Sequence, residues 1–179
     1  MSRLAHHEKE TVLRKVMIFI DGSNMFHSMH EYGQKIGNPD YRIDYEKLVE
    51  ILKGENDLIR TYYFASSMVP PIKEQTAFYN KLKFEFRFYL HVFPIKFGKE
   101  KGVDVSLAIN YLAMGLTNQF EEGILVTGDK DLATAVKFVR DRGPVTKVVS
   151  FRHSLSKDLR EAADGCIYLN DIADQIEFK

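Results

Sequence analysis

VMIFIDGSN, residues 16–24, decides the fold. Val16, Met17, Ile18, Phe19 and Ile20 form an unbroken apolar run, which suits a strand buried on both faces, as in a parallel sheet covered by helices. Asp21 then stands where the strand stops. In open α/β sheets ligands bind outside the carboxyl ends of the strands, so an acid placed there faces a crevice rather than the core. Gly22 permits a tight turn, and Ser23 or Asn24 can cap a helix beginning near Met25. Taken alone, Asp21 and Ser23 read equally well as turn and cap residues. Only acids at later strand ends can choose between the two readings.

Outward from this stretch, residues 1–15 read as a polar arm, whose His6 and His7 could ligate a metal but, as adjacent histidines in a charged tail, are more often just solvated. Residues 16–179 read as one domain. A short helix over 25–32 precedes a loop over 33–41, and Asp44 caps a helix over 45–52 that Gly54 stops. Residues 58–64 form a second strand with Ala65, Ser66 and Ser67 at its exit. Pro70 and Pro71 open a helix reaching about residue 82. Residues 84–93 alternate aromatics with charges, which predicts a third strand at a sheet edge, closed by Pro94. FGKEKG, residues 97–102, is a basic glycine loop. Helical spacing returns over 103–117, with Asp104 in the first turn, where the helix dipole favours a carboxylate.

A fourth buried strand over 123–127 leads to a turn over 128–131 and a helix over 132–140, ended by Gly143 and Pro144. Residues 145–151 make a fifth strand, 154–163 a helix and 166–169 a short sixth strand. Strands and helices alternate with no repeat and no linker. This pattern predicts a three-layer α/β/α Rossmann-like domain with a mostly parallel central sheet of five or six strands.

The chain's bulk properties narrow the classes. At 179 residues it fits a single domain with a substantial core. No apolar run approaches the roughly 18 residues of a membrane span. The start, MSRLAHHEKETVLRK, lacks the apolar core of a signal peptide, so export is not expected. Cys166 is the single cysteine, which excludes an internal disulfide framework and points to a reducing compartment, the cytoplasm. Twenty-five basic and 25 acidic residues leave no net charge. This argues against a generally basic surface for gripping nucleic acid and leaves a local patch as the way to do so.

The acids matter by position. Strand four ends as ILVTGDKDLATAV, which places Asp129 and Asp131 just past the strand, on the same edge as Asp21 if the two strands are parallel. The turn also has a plainer role as a cap for the following helix. Two acidic strand ends converging near Asp104 nevertheless make a cluster of like charges. Such carboxylates resist full ionisation unless a cation neutralises them, and an oxygen-only set selects hard ions such as Mg²⁺ or Mn²⁺.

FIDGSN, KGVDVSLAINYL, VTGDKDLATAV and SLSKDLREAADGCIYL, in that order, resemble the NYN branch of the PIN-like nucleases, the group typified by LabA-like proteins. The resemblance spans residues 16–169. It implies a Rossmann-like parallel sheet with an acidic, metal-binding pocket, and many members of the family are ribonucleases. Position by position, Asp21, Asp104, Asp129 and Asp131 match the family's acidic quartet, and Asn24 the polar residue after the first acid. Three positions depart from the pattern or match it ambiguously. Asn110 stands where the family often has a second acid in the KGVD helix, and Leu132 where Phe is common. Asp164 reads as a late family acid or as a turn residue before a strand.

The expected chemistry is hydrolysis of a single-stranded RNA phosphodiester, with Mg²⁺ or Mn²⁺ held by Asp21, Asp104, Asp129 and Asp131 activating water for in-line attack. Asn24, Asn110 and Thr127 would position water or phosphate. Lys101 and Lys130 would hold the backbone beside the pocket, with Arg152, His153 and Lys157 further out, although each is also an ordinary surface cation. The alternative keeps the fold without the cutting: a weak or inactive RNA-binding or protein-interaction module, favoured by Asn110. Other acidic α/β sites fit less well. Haloacid-type phosphatases want an acid at position 23, von Willebrand A-like domains want a second serine at 25, receiver domains have no role for the GDKD turn, and dinucleotide binding lacks GxGxxG. His27 and His30 are read as surface or core-edge residues. Phe84, Phe86 and Phe88 are read as one packed strand face, with base stacking as the minority reading. Their edge strand is the expected contact if the protein is a homodimer.

Overall fold

A computed structural model of the chain describes residues 12–95, 98 and 102–179. Twelve regular elements alternate along it: β1 (Lys15–Asp21), α1 (Gly22–Lys35), α2 (Tyr45–Lys53), β2 (Asp57–Ser67), α3 (Lys73–Asn80), β3 (Tyr89–Pro94), α4 (Val103–Leu116), β4 (Glu122–Val126), α5 (Ala133–Arg140), β5 (Val145–Ser150), α6 (Lys157–Ala162) and β6 (Gly165–Tyr168). The strands form one six-stranded sheet in the order β3-β2-β1-β4-β5-β6, and every pairing is parallel. The three-layer α/β expectation holds, with all strands parallel.

Both faces of β1 are buried, which explains its unbroken apolar run. Alternate residues enter different cores. Val16, Ile18 and Ile20 join Met25 and Met29 of α1, Leu48 and Val49 of α2 and Leu82 after α3. Met17 and Phe19 join Leu107 and Tyr111 of α4, Val136 and Val139 of α5 and Leu159 of α6. Phe19 anchors the second core, stacking on Tyr62 at 5.2 Å and meeting Tyr111 edge-on at 5.1 Å. The chain winds outward from β1 through β2 to β3, crosses back through α4, and winds outward again from β4. The direction of winding therefore reverses between β1 and β4, and ligands of open α/β sheets sit at this switch point.

The helix after β1 begins at Gly22 rather than Met25, because Asp21 is itself the cap: its Oδ1 accepts from the Asn24 N–H at 2.9 Å. That helix also runs through Gly33 to Lys35 instead of stopping at Tyr32. A side chain at 33 would fall 2.5 Å from the Asn38 carbonyl, so glycine lets the following loop fold back against the helix.

β2 runs on to Ser67, past its expected end at residue 64, and the largest departure lies after α3. Residues 84–93 are not a single strand. A π-helical turn over Lys81–Glu85 extends α3, Arg87 takes φ 57°, and the strand starts only at Tyr89. The competing signal is Phe78, Leu82 and Phe86 at spacing four, which continues the helical face into the first core. Phe88 is buried there as well, whereas Phe84 is 69% exposed. The three phenylalanines do not form one face. β3 does lie at a sheet edge, as expected. The expected arm falls largely on residues 1–11, outside the described residues. Of the basic loop over 97–102, only Gly98 and Gly102 are described. No helix among the described residues is long and apolar enough to cross a membrane.

Candidate active site at the sheet's switch point

β1 and β4 run side by side, Ile20 pairing with Val126, so Asp21 and Thr127 leave the sheet together at the switch point. Odd-numbered residues of both strands face the α4–α6 layer, and Asp21 therefore points toward the start of α4, where Asp104 occupies the first turn. Asp21 is 2% exposed and Thr127 is fully buried. The Thr127 hydroxyl donates to Asp21 Oδ2 at 3.0 Å and accepts from the Asp129 N–H at 3.3 Å. Asn24 closes the other side, its Oδ1 accepting from the Gly128 N–H at 3.0 Å. Asp129 Oδ1 in turn accepts from the Asp131 N–H at 2.9 Å, which caps the short turn over Lys130–Leu132. The polar residues at the two strand ends thus form one connected network.

Burial pushes the Asp21 carboxyl up to about 6, against the lowering effect of the Asn24 and Thr127 hydrogen bonds, and the charges of Asp104 and Asp129 push it further. A comparison within the same sheet gives this weight. Glu122, equally buried at the opposite edge, meets Lys147 Nζ at 2.6 Å and Arg14 at 3.4 Å. Asp21 meets no such cation among the described residues; its charged neighbours are acids. A buried acid surrounded by acids is the arrangement that a bound cation relieves.

The sequence matches the NYN domain family over residues 15–170. The chain belongs to the NYN domain family. It is 25% identical over 174 residues to the low amplitude and bright protein LabA of Synechococcus elongatus, covering 91% of this chain and 88% of that protein. Among solved structures, a protein of unknown function from Vibrio parahaemolyticus superposes with a TM-score of 0.77 over 93% of this chain and 97% of its own, at 18% identity. That likeness concerns the fold alone. The NYN domain is a nuclease-like family, which accords with an acidic crevice at the switch point.

Within this NYN domain the expected site residues separate. Asp21, Asn24, Thr127 and Asp129 are joined by hydrogen bonds, and Asp104 reaches Asp21 through its charge. Asp131 is exposed and enters the network by its backbone N–H. Among the described residues no three His, Cys, Asp or Glu side chains are gathered closely enough to enclose a metal ion. Asn110 lies six residues after Asp104, well round the helix from it, and its amide donates to the Ser106 carbonyl of its own helix at 2.8 Å. Lys130 is exposed beside the acidic turn, and Lys101 lies outside the described residues. Leu132 is 1% exposed in the second core, a straightforward core exchange. Asp164 is structural: it accepts from the N–H and hydroxyl of Thr146 at 2.8 and 2.9 Å, at the far edge of the sheet.

Three further features carry no clear signal in the sequence or only a faint one. Gly128 supplies the amide held by Asn24 and packs so tightly that a Cβ would fall 2.1 Å from the Ser154 carbonyl. Phe64 pairs with Asp21, so Ser66, two residues on, shares its face at the crevice edge. The Ser66 hydroxyl is enclosed with no hydrogen-bond partner among the described residues. Beneath Gly22, Tyr63 crowds the helix start and hydrogen-bonds Tyr45. The TG before DKD is a signal for the first, but nothing local marks the other two. A cavity of about 690 Å³ opens at the opposite edge beside Arg14 and Pro144, and none of Asp21, Asp104, Asp129 and Asp131 lines it.

Proposed function

We propose that this NYN domain hydrolyses single-stranded RNA at the switch-point crevice with the help of Mg²⁺ or Mn²⁺. The observation that carries this reading is Asp21, a buried carboxyl raised to about 6 whose charged neighbours are Asp104 and Asp129. The donor set is oxygen only, which suits a hard divalent cation. Such an ion keeps several of its own waters and is commonly held by one or two carboxylates, so a cage of three is not required. Asp21 and Asp129 would hold it, with Asp104 facing it from α4 and Asp131 at the rim.

Bound there, the cation would lower the pKa of a coordinated water and neutralise charge on the departing 3′ oxygen. The chain's own residues orient the reactants. Thr127 and Asn24 lock Asp21 and the Gly128 turn in place, and that pre-organisation spares reorganisation during the reaction. Lys130 extends beside the turn to meet the phosphate backbone. Asn110 is turned onto its own helix and takes no part.

Single-stranded RNA incubated with purified protein and Mn²⁺ tests the proposal. Cleavage should fall at least 100-fold in Asp21→Asn and Asp129→Asn; persistence of the same cleavage in both variants would reject the assignment. A binding module without chemistry is the second reading, and it is favoured by Asp131, which stands exposed and joins the network by its backbone N–H alone. Assays of RNA retention with product-end analysis separate the two, because only the nuclease generates new ends.

A further inference from the structure

On its β5–β6 side the crevice borders a second cluster of like charges, here positive. The Ser156 N–H donates to the Gly128 carbonyl at 3.0 Å, so the loop after β5 is tied directly to the acidic turn. That loop, the start of α6 and the end of β6 line a cavity of about 210 Å³ formed by Arg152, Leu155, Ser156, Lys157, Arg160 and Tyr168. Tyr168 organises the cations. The Arg152 guanidinium lies over its ring, 4.0 Å from the centroid, and Arg160 hydrogen-bonds to its side chain. Lys157 stands one helical turn before Arg160, on the same face.

Three cations facing one cavity repel one another, and the neighbouring acids compensate them weakly. Arg152 is held by Asp171 at 2.6 Å and Lys157 lies 3.7 Å from Glu161, but both pairs are largely exposed. Exposed pairs of this kind contribute little and exchange readily for a better anion. A guanidinium fork beside a second arginine and a lysine presents the donor geometry that phosphate oxygens take. The chain has no net charge, so any affinity for a polyanion must come from such local clusters. Ser156, which lines the cavity, bonds to Gly128, the residue before Asp129.

We infer that this cavity binds a backbone phosphate of the RNA strand neighbouring the phosphodiester at Asp21. The inference rests on the RNA reading above but not on cleavage. It makes Arg160, Lys157 and Arg152 anchors that hold the strand across the acidic crevice, which would otherwise repel it.

The test is a fluorescence anisotropy titration of labelled single-stranded RNA with the full chain in EDTA, at several salt concentrations between about 50 and 200 mM. The Lys157→Ala, Arg160→Ala double variant should bind about tenfold more weakly, with the slope of log K against log salt reduced by about 0.7 for each phosphate that is no longer neutralised. Both residues are exposed, so the thermal melt should not move. Unchanged affinity and slope would overturn the inference. If the unaltered protein cleaves RNA while the double variant binds as tightly, the cavity assignment fails alone. Weakened binding without cleavage by the unaltered protein would uphold the cavity and reject the nuclease. No RNA binding by the unaltered protein in EDTA overturns the inference, and the Mn²⁺ cleavage assay then decides the nuclease reading separately.

Discussion

Replacing Asp21 by asparagine should make this protein more stable at neutral pH, and the gain should disappear in acid. The folded carboxyl titrates at about 6 against 3.8 for the free group. A raised acid pKa means that the folded state holds the proton more tightly than the unfolded state. Below pH 3.8 the group is protonated in both states and costs nothing. Between 3.8 and about 6 the unfolded chain releases its proton first, so stability falls as pH rises, and it levels off above about pH 6. The difference of about 2.2 pH units, at about 1.4 kcal/mol each, makes a penalty of about 3 kcal/mol at pH 7.5. Asparagine removes the charge but offers one acceptor where the carboxylate offered two, so one of the hydrogen bonds from Asn24 and Thr127 disappears, at about 1 kcal/mol. The net gain is about 2 kcal/mol, which for a chain of 179 residues raises Tm by roughly 4–8 °C.

Melts of both proteins followed by circular dichroism at pH 4.0, 5.5 and 7.5 in EDTA check this. A variant less stable than the parent at pH 7.5, or a difference that does not change with pH, would refute the reasoning. The same charges that cost stability are those the site needs.

The remaining predictions concern the same crevice. Millimolar Mn²⁺ should raise the parent's Tm by several degrees at pH 7.5 and leave Asp21→Asn nearly unmoved, because binding to the folded state alone is stabilising; equal shifts in both proteins would place the ion elsewhere. Thr127→Val removes the donor that lowers the Asp21 carboxyl, so the acid limb of a cleavage-versus-pH profile should move to higher pH, with stability reduced by about 1–2 kcal/mol in denaturant titration. Gly128→Ala forces a Cβ against the Ser154 carbonyl and should cost about 3 kcal/mol or more together with most of the activity, read from urea melts and cleavage rates. Asn110→Asp loses the amide donor to the Ser106 carbonyl, but position 110 still lies well round the helix from Asp104, so the cleavage rate should change by less than about twofold; a large gain would bring position 110 into the site.

Much of this was legible in the chain because it is local. Runs such as VMIFI and GILV mark doubly buried strands, Asp44 and Gly54 bound their helix, and acids at strand ends identify the edge where chemistry belongs. The NYN motifs carried the resemblance for the same reason, since each is a short strand-end or helix-start signature. The stretch over 84–93 failed because two local periods compete there: Phe86 fits a two-residue alternation and a four-residue helical face equally well. Packing against Phe78 and Leu82 chose the helix.

What tertiary structure alone decided is adjacency. Placing β4 beside β1 joins Asp21 to Thr127 across 106 residues of chain and Asn24 to Gly128 across 104. No spacing in the sequence encodes those bonds. Burial does the rest: Asp21 and Glu122 are both acids on buried strands, but the sheet delivers cations to one and carboxylates to the other. The sequence by itself determined which residues could ionise and that acids stand at the ends of β1 and β4. The desolvation and neighbouring charge that make Asp21 a site rather than a helix cap exist only once the sheet has brought the strand ends together.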